Sequence, residues 1–397
     1  MTVIVLAINA GSSSIKFQAF ATAGDVLERR VSGLLEGIGN EPRLIIRDGG
    51  GKILRNDHLG TAAAPSVEAA EAIVGDWLLG SEAIQLIGGP IAAIGHRVVH
   101  GGADFSTAAR IDDTVLGRIT ALTHLAPLHQ PKNLAPIIAW RERRPDLPQI
   151  ACFDTAFHRG HSEVAERFAI PDALYQEGVR RYGFHGISYE YIAEKLNEVA
   201  PAIAKGRVIV AHLGNGCSLC AMKDGRSVDS TMSFTALDGI PMGTRPGAID
   251  PGIVLYLMRE KGMDAAAIEK FLYHQCGLKG LSGISNDVRV LEASADRHAR
   301  LALDHFVYRI AKEIGALAAV LGGIDALVFT AGIGENGADL RARIVTASGW
   351  LGLTLDPAAN AARQTDFSAA MTGPRALMVP TDEELMIARH TRRLLGL

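Results

Sequence analysis

Asn9-Ala10-Gly11-Ser12-Ser13-Ser14-Ile15-Lys16 concentrates small hydrogen-bond donors at a turn. Glycine lets the backbone approach a phosphate closely, and exposed N–H groups with the hydroxyls of Ser12 and Ser14 can bond its oxygens. Lys16 adds a positive charge, and Asn9 offers a carbonyl oxygen to a hydrated cation. The competing reading is an ordinary Gly/Ser hairpin. It is not a Walker A loop, because GxxxxGK(S/T) occurs nowhere in the chain. His212-Leu213-Gly214-Asn215-Gly216 is a second turn of this kind, suited to further phosphates, although Asn-Gly is also a strong hairpin signal. Gly332-Ile333-Gly334-Glu335-Asn336-Gly337 follows a predicted strand and satisfies GxGxxG. Asp356 lies about where a dinucleotide fold keeps its ribose-binding acid, roughly 20 residues on. That supports an NAD-dependent dehydrogenase as a rival, but an adenosine-binding turn fits equally well.

Arg97 lies in Gly95-His96-Arg97-Val98-Val99-His100-Gly101-Gly102, and Arg245 in Pro241-Met242-Gly243-Thr244-Arg245-Pro246-Gly247. A planar guanidinium holds a carboxylate or phosphate with two parallel bonds. The competing reading for either arginine alone is a surface or domain-bridging ion pair, and the shared setting of mobile or tightly turning backbone counts against it. His185, before a helix expected near Ser188, can donate to a developing anion or serve as a structural histidine. Asp154 ends an apolar stretch and reads as either a helix cap or a site carboxylate. In Thr381-Asp382-Glu383-Glu384, Thr381 and Glu384 fit a capping box, which leaves Glu383 for a metal or for solvent. No HExxH or comparable spacing appears among the 13 histidines, so a transition-metal site is not expected.

The elements that must position these groups alternate between strand and helix. Val3–Ile8, Ile15–Phe20, Ile91–Val99, Arg207–Leu213, Cys217–Met222 and Ala326–Thr330 read as strands. Helices are expected over Ser66–Leu79, Ser188–Val199 and Asp296–Leu321. This order predicts an α/β architecture with mixed sheets. INAGSSSIKFQAF and HLGNGCSLCAMKDG share one grammar of apolar strand, small-residue turn and second strand. That repetition suggests a duplicated domain with a cleft between the halves, unless it is chance convergence on a tight hairpin.

The length favours two domains, and 48% hydrophobic with 21% charged residues favours packed globular structure. A net charge of -3 with scattered basic residues leaves no nucleic-acid footprint, and no apolar run is long enough to span a membrane. Four cysteines suggest a reducing, cytoplasmic setting. Cys217 and Cys220 form a lone CxxC, better read as buried thiols than as a metal or redox site.

Taken in order, INAGSSSIKFQ, GHRVVHGG, LAPLHQPKN, FDTAFH, RRYGFHGISYEYI, HLGNGCSL, MGTRPGAIDP, FTAGIGEN and PTDEELMIA closely resemble the acetate kinase family, within the acetate and sugar kinase, heat-shock chaperone and actin superfamily. The resemblance implies two duplicated actin-like, ribonuclease H-like mixed-sheet cores. Residues 1–153 would form an N-terminal domain and 154–382 a nucleotide-binding domain, with 383–397 a helix packing back on the first. It implies reversible transfer of the ATP γ-phosphoryl group to acetate. Mg²⁺, with Mn²⁺ as an alternative, would be organised by Asn9 and Glu383, with Ser12, Ser14 and Lys16 near the phosphates. Arg97 and Arg245 would hold the acyl carboxylate and the phosphoryl group, His185 would stabilise the transition state, and Asp154 would position the arginines or substrate. His212, Leu213, Gly214, Asn215 and Gly216 would hold ATP or ADP together with Gly332, Ile333, Gly334, Glu335 and Asn336, while Asp287, Val288 and Arg289 would lie beside the adenosine. Val99, Leu128 and Ala236 would line the acyl pocket. Val288 replaces an aromatic residue and Ala236 a proline often found in the family, which leaves base stacking and the choice between acetate and propionate open. Propionate kinase is therefore the nearest alternative, since one methylene is worth only about 1–3 kcal/mol in such a pocket. A non-enzymatic ATP-gated module like the chaperones is the third reading; it gives no use for Arg97, Arg245 and His185 together. A homodimer rests on the resemblance alone, as no segment announces an interface.

Overall fold

The computed structural model describes residues 3–11, 13–24 and 26–397, so Ser12 of the first turn lies outside the described residues. The chain forms two compact units, one running to Ala156 and completed by Asp382–Leu397, the other Phe157–Thr381.

The first unit is built on β1 (Ile4–Ala10), β2 (Ser14–Ala23), β3 (Val26–Glu36), β4 (Arg43–Asp48), β5 (Ile53–His58), β6 (Ile91–Val98), β7 (Ala109–Arg110) and β8 (Gln149–Phe153). They form one sheet in the order β5-β4-β3-β2-β1-β6-β8-β7. β1 is antiparallel to β2 and parallel to β6. A central strand covered on both faces reads as a continuous apolar run, and IVLAINA is buried throughout. Ile4, Leu6 and Ile8 join Val67, Val74 and Leu78 of helix Val67–Leu79 and Trp140 of helix Gln130–Arg143 in one core. Side chains alternate across a strand, so Ala7 and Asn9 point to the other face. Helix Glu383–Leu395 packs there. Gly95, opposite Ala7, lets it approach: a Cβ at that position would overlap Thr391 and Ile387.

The second unit carries β9 (Arg207–Leu213), β10 (Cys217–Lys223), β11 (Arg226–Ser230), β12 (Ala326–Thr330) and β13 (Arg375–Met378), ordered β11-β10-β9-β12-β13. β9 is antiparallel to β10 and parallel to β12, and β13 runs parallel to β12. The pattern repeats β3-β2-β1-β6-β8 of the first sheet, so the shared grammar of the two hairpins reflects a duplicated core. Ala10 pairs with Ile15 and Leu213 with Cys217, which closes the two small-residue turns. Helix Arg297–Leu321, capped by Asp296, packs on β9 and β10. Among the described residues, no helix is long and apolar enough to cross a membrane.

Three local expectations are corrected. The helix expected from Ser188 begins at Gly186, behind a left-handed His185 with φ 58°. Ser188 is turned to His212 rather than used as a cap. The C-terminal helix is capped by Asp382, which accepts from the Leu385 N–H at 3.0 Å, so Thr381 and Glu384 form no capping box. The GxGxxG segment is not a strand-to-helix loop, because helix Ala331–Asn336 follows β12 without a gap.

Candidate active site

In the first unit, parallel pairing of β6 with β8 sets Arg97 beside Cys152, two residues before Asp154. The guanidinium grips that carboxylate at both oxygens, Nε to Oδ1 at 2.9 Å and Nη2 to Oδ2 at 2.5 Å. Its Nη1 donates to Asn9 Oδ1 at 3.2 Å. Three of the roughly five guanidinium N–H groups are thus engaged, leaving two on the terminal nitrogens for an anion. Burial works against the Arg97 charge, but Asp154, Glu383 and Glu384 outweigh it and hold its pKa above the usual value. Of the two readings left open for Asp154, the site carboxylate is the one this grip on Arg97 supports.

Asn9 is the hub of this cluster. Its Nδ2 donates to Glu383 Oε2 at 3.1 Å and to Glu384 Oε1 at 3.0 Å. Glu384, given a capping role from sequence, is buried instead and also accepts from Gln18 Nε2 at 3.3 Å. Burial raises its pKa against the opposing charge of Lys16, and Glu383 adds to the rise. Lys16 stands opposite Asn9 in the β1–β2 register with its side chain exposed, and Ser14 shares that turn, where the Gly11 N–H donates to its carbonyl at 2.8 Å. Asn133 was not singled out from sequence. It accepts from the Val99 N–H at 2.8 Å and donates to the Ala10 carbonyl at 2.7 Å, tying the end of β6 to the first turn. Val99 is buried and Leu128 half-buried. The glycines around Arg97 serve close packing: a Cβ at Gly101 would press on Phe153 and Phe105.

In the second unit, His185 and His212 stack with centroids 4.1 Å apart. His185 Nδ1 lies 2.8 Å from Ser218 Oγ, which Tyr189 Oη reaches at 2.5 Å. Ser188 Oγ donates to Thr381 at 2.9 Å, so it accepts from His212 Nδ1, also at 2.9 Å. Gly216 brings its backbone against this pair: a Cβ there would sit 3.1 Å from Arg245 Nη2 and 3.3 Å from His185 Nε2. Arg245 Nη1 donates to the Ala236 carbonyl at 2.8 Å. The structure thus groups His185, His212, Gly216, Arg245 and Ala236. In this unit Asn215 is held by Asn286, whose Nδ2 donates to its Oδ1 at 3.1 Å, and the Gly214 N–H donates to the Gly216 carbonyl at 3.0 Å across the turn.

Asp287 caps helix Val288–Glu292 and takes two bonds from Arg289, whose side chain is largely exposed. Val288 points inward and is buried, so it presents no surface for stacking on a base. Asp287, Arg289 and Val290 instead border a surface hollow of about 550 Å³. Around Gly332–Asn336, sequence reasoning missed Arg341. It is buried and donates to the Gly334 and Glu335 carbonyls at 2.8 and 2.9 Å while binding Asn360 on its other side. Glu335 accepts from the Thr381 N–H at 3.2 Å. Asp356 is spent capping helix Pro357–Ala361, and β12 lies in a mixed sheet, so neither half of the dinucleotide fingerprint has its required setting.

Residues 4–389 match the acetokinase family. The chain is 54% identical to the acetate kinase of Nitrobacter hamburgensis over 392 residues, covering 98% of this chain and 96% of that one. It is 53% identical to the acetate kinase of Rhizobium meliloti, with 99% and 98% covered. Among solved structures it resembles Porphyromonas gingivalis acetate kinase with a TM-score of 0.86 at 34% identity, covering 99% and 100%. It also resembles a propionate kinase from Francisella tularensis, with a TM-score of 0.89 at 36% identity, covering 98% and 99%.

Proposed function

The chain belongs to the acetokinase family, and from that premise we infer that it catalyses reversible transfer of the ATP γ-phosphoryl group to acetate, giving acetyl phosphate and ADP. Near-full-length identity to curated acetate kinases carries this conclusion. Trapping acyl phosphate as a hydroxamate, with acetate, propionate and butyrate in parallel, tests it. Acetate is expected to give the highest kcat/KM, and no product with any of the three would refute the reading.

Acetate is already ionised at neutral pH, so the reaction needs little general-base help. The barrier is the approach of an anion to a polyanion, and charge neutralisation with in-line positioning lowers it. In the first unit, the two remaining N–H groups of Arg97 bind the acyl carboxylate or the phosphoryl oxygens, and Asp154 keeps the fork turned correctly. Val99 and Leu128 supply apolar contact for the methyl group. In the second unit, Arg245 and His185 donate to the equatorial phosphoryl oxygens, while the turn at His212–Gly216 and residues 332–336 hold the nucleotide, with Asp287 to Arg289 beside the adenosine. Lys16 and Ser14 serve the phosphates from the first turn. Mg²⁺ typically takes one or two protein carboxylates and fills its shell with phosphate oxygens and water. Glu383, with Asn9 beside it and Glu384 behind, fits that need, and no closed cage of three or more such ligands occurs among the described residues. Bound there, the ion supplies further neutralisation of phosphate charge.

The first unit corresponds in this reading to the N-terminal actin-like domain with its returning helix, and the second to the nucleotide-binding domain. The protein works as a homodimer in a reducing, cytoplasmic setting. Helix Pro251–Lys261 supports pairing: it buries none of its residues and leaves Ile253, Leu255, Tyr256 and Met258 about half exposed. Leu255→Glu with Met258→Glu should shift the species seen by light scattering from dimer to monomer. Unchanged mass would remove that helix from the interface. Four free cysteines, three of them buried, support the compartment.

A further inference from the structure

A polar chain that starts at the half-buried His161 and runs inward ends, in the second unit, on the peptide just before His185. His161 Nε2 lies 2.6 Å from Ser227 Oγ, Ser227 Oγ lies 2.7 Å from His158 Nδ1, and His158 Nε2 lies 3.0 Å from the Phe184 carbonyl oxygen. A carbonyl only accepts, so Nε2 of His158 carries the proton and Nδ1 is an acceptor. The single proton of Ser227 is then committed to Nδ1, and its oxygen accepts from Nε2–H of His161. Donation therefore runs one way, from His161 through Ser227 and His158 to Phe184. Cys220 Sγ adds a contact to Ser227 at 3.2 Å. Burial pushes the pKa of His158 down to about 4 and that of His161 to about 3, so both rings are neutral, as this arrangement requires.

We propose that His158 is a positioning residue for the phosphoryl transfer: it holds the Phe184–His185 peptide so that His185 keeps its orientation, with Ser227 and His161 fixing the tautomer that allows it. The proposal rests on the reading of His185 as a transition-state donor. His185 needs such a hold, because a non-glycine residue at φ 58° is sustained only by its surroundings. Gly183 is also left-handed, at φ 77°, and the His158 ring lies 2.5 Å from where its Cβ would stand, so ring and loop are in direct contact. The Tyr182 and Gly183 N–H groups both donate to the Ser233 carbonyl, at 3.0 and 3.3 Å. The carbonyl of Phe184 is the point where His158 completes the clamp.

Two substitutions at His158 separate orientation from bulk. His158→Gln keeps an N–H near the position of Nε2, whereas His158→Asn keeps a partner for Ser227 but cannot reach Phe184. In hydroxamate kinetics, kcat is expected to fall about tenfold in the Asn variant and less than about threefold in the Gln variant, with KM for ATP and acetate nearly unchanged. Combined with His185→Gln, the Asn variant should cost nothing beyond His185→Gln alone, because it acts through that residue. Equal kcat in the Asn and Gln variants, or losses that multiply in the double variant, would overturn the positioning role. If His185→Gln alone leaves kcat intact, the reading of His185 itself fails, and this single control tells the two failures apart. Should the Asn variant not fold, Ser227→Ala frees the His158 tautomer without removing the ring and enters the same cycle, where an effect on kcat additive with His185→Gln overturns the proposal.

Discussion

Arg97 and Arg245 are held in different ways, so their substitution should fail differently. Arg97 is locked by a two-point grip on Asp154 and a third bond to Asn9. Arg97→Lys keeps the charge but cannot reproduce two parallel bonds. It is expected to lower kcat/KM for acetate by about tenfold or more while KM for ATP changes by less than about threefold. Equal losses for both substrates in steady-state kinetics would deny Arg97 its place at the acyl group. Arg245 donates to a backbone carbonyl, that of Ala236, rather than to a carboxylate. Arg245→Ala should cut turnover by more than about tenfold with ADP affinity, measured by calorimetry, largely intact. If ATP affinity collapsed and turnover of bound substrate survived, that role would be wrong. Both arginines were legible in sequence because glycine-rich surroundings drew attention to them, although the glycines near Arg97 permit packing rather than motion. Asn133, Arg341 and His158 were not legible. Asn133 and His158 act by contact with segments remote in sequence, and Arg341 acts on a helix that precedes its own; neither residue type nor spacing announces that.

At the level of elements, the contact of helix Glu383–Leu395 with β6 is the sharpest dependence of a site carboxylate on backbone packing. The helix carries Glu383 and Glu384 in its first turn and rests on Gly95 through Ile387 and Thr391, in its middle turns. Gly95→Ala forces a methyl group into Thr391 and Ile387 and should destabilise the protein by about 1–3 kcal/mol. It should also weaken activation by Mg²⁺, as the first turn is carried outward. Denaturant unfolding with a Mg²⁺ titration of activity checks both, and a normal Mg²⁺ response would uncouple the helix position from the metal. Strands such as β9 and β12 are legible in sequence to the residue, because short, buried apolar runs close to glycine leave little choice. Helix starts were read less well. At Gly186 the start depends on a left-handed histidine that no cap propensity announces, and at Glu383 on Asp382, a better cap than the Thr381 that the capping-box spacing points to.

For the whole molecule, buried titratable groups set the response to acid. Burial pushes His96 and His158 down to about 4 and His161 to about 3, below the usual 6.5. The unfolded chain then binds more protons as pH falls below about 6.5, so the stability these rings contribute at neutral pH drains away on acidification. Burial raises Glu71 to about 7, and there the sign reverses: the folded state binds the extra proton, and stability rises as pH falls from that value toward 4.5. Between about pH 7 and pH 5 each imidazole costs roughly 2 kcal/mol and Glu71 offsets about one of the three. The apparent Tm should therefore fall across that range, and Glu71→Gln should make the fall steeper. A flatter profile in that variant would reverse the assignment. The exposed apolar face of helix Pro251–Lys261 also belongs to this scale. It is invisible in sequence because IVLYLM reads like any core helix until the packing shows that none of its residues is buried.

Asp382–Leu397 belongs to the first unit but follows the whole of the second in the chain. On the ribosome, the sheet around β1 and β6 emerges early and waits through the synthesis of Phe157–Thr381 for the helix that seats on Gly95. During that interval the face meant for Met386, Ile387 and Ala388 is bare, and Asn9 and Arg97 lack the two glutamates that complete their setting. Vectorial synthesis thus installs Glu383 and Glu384 last, after the whole second unit has been made, and leaves an apolar face of the first sheet uncovered throughout that interval.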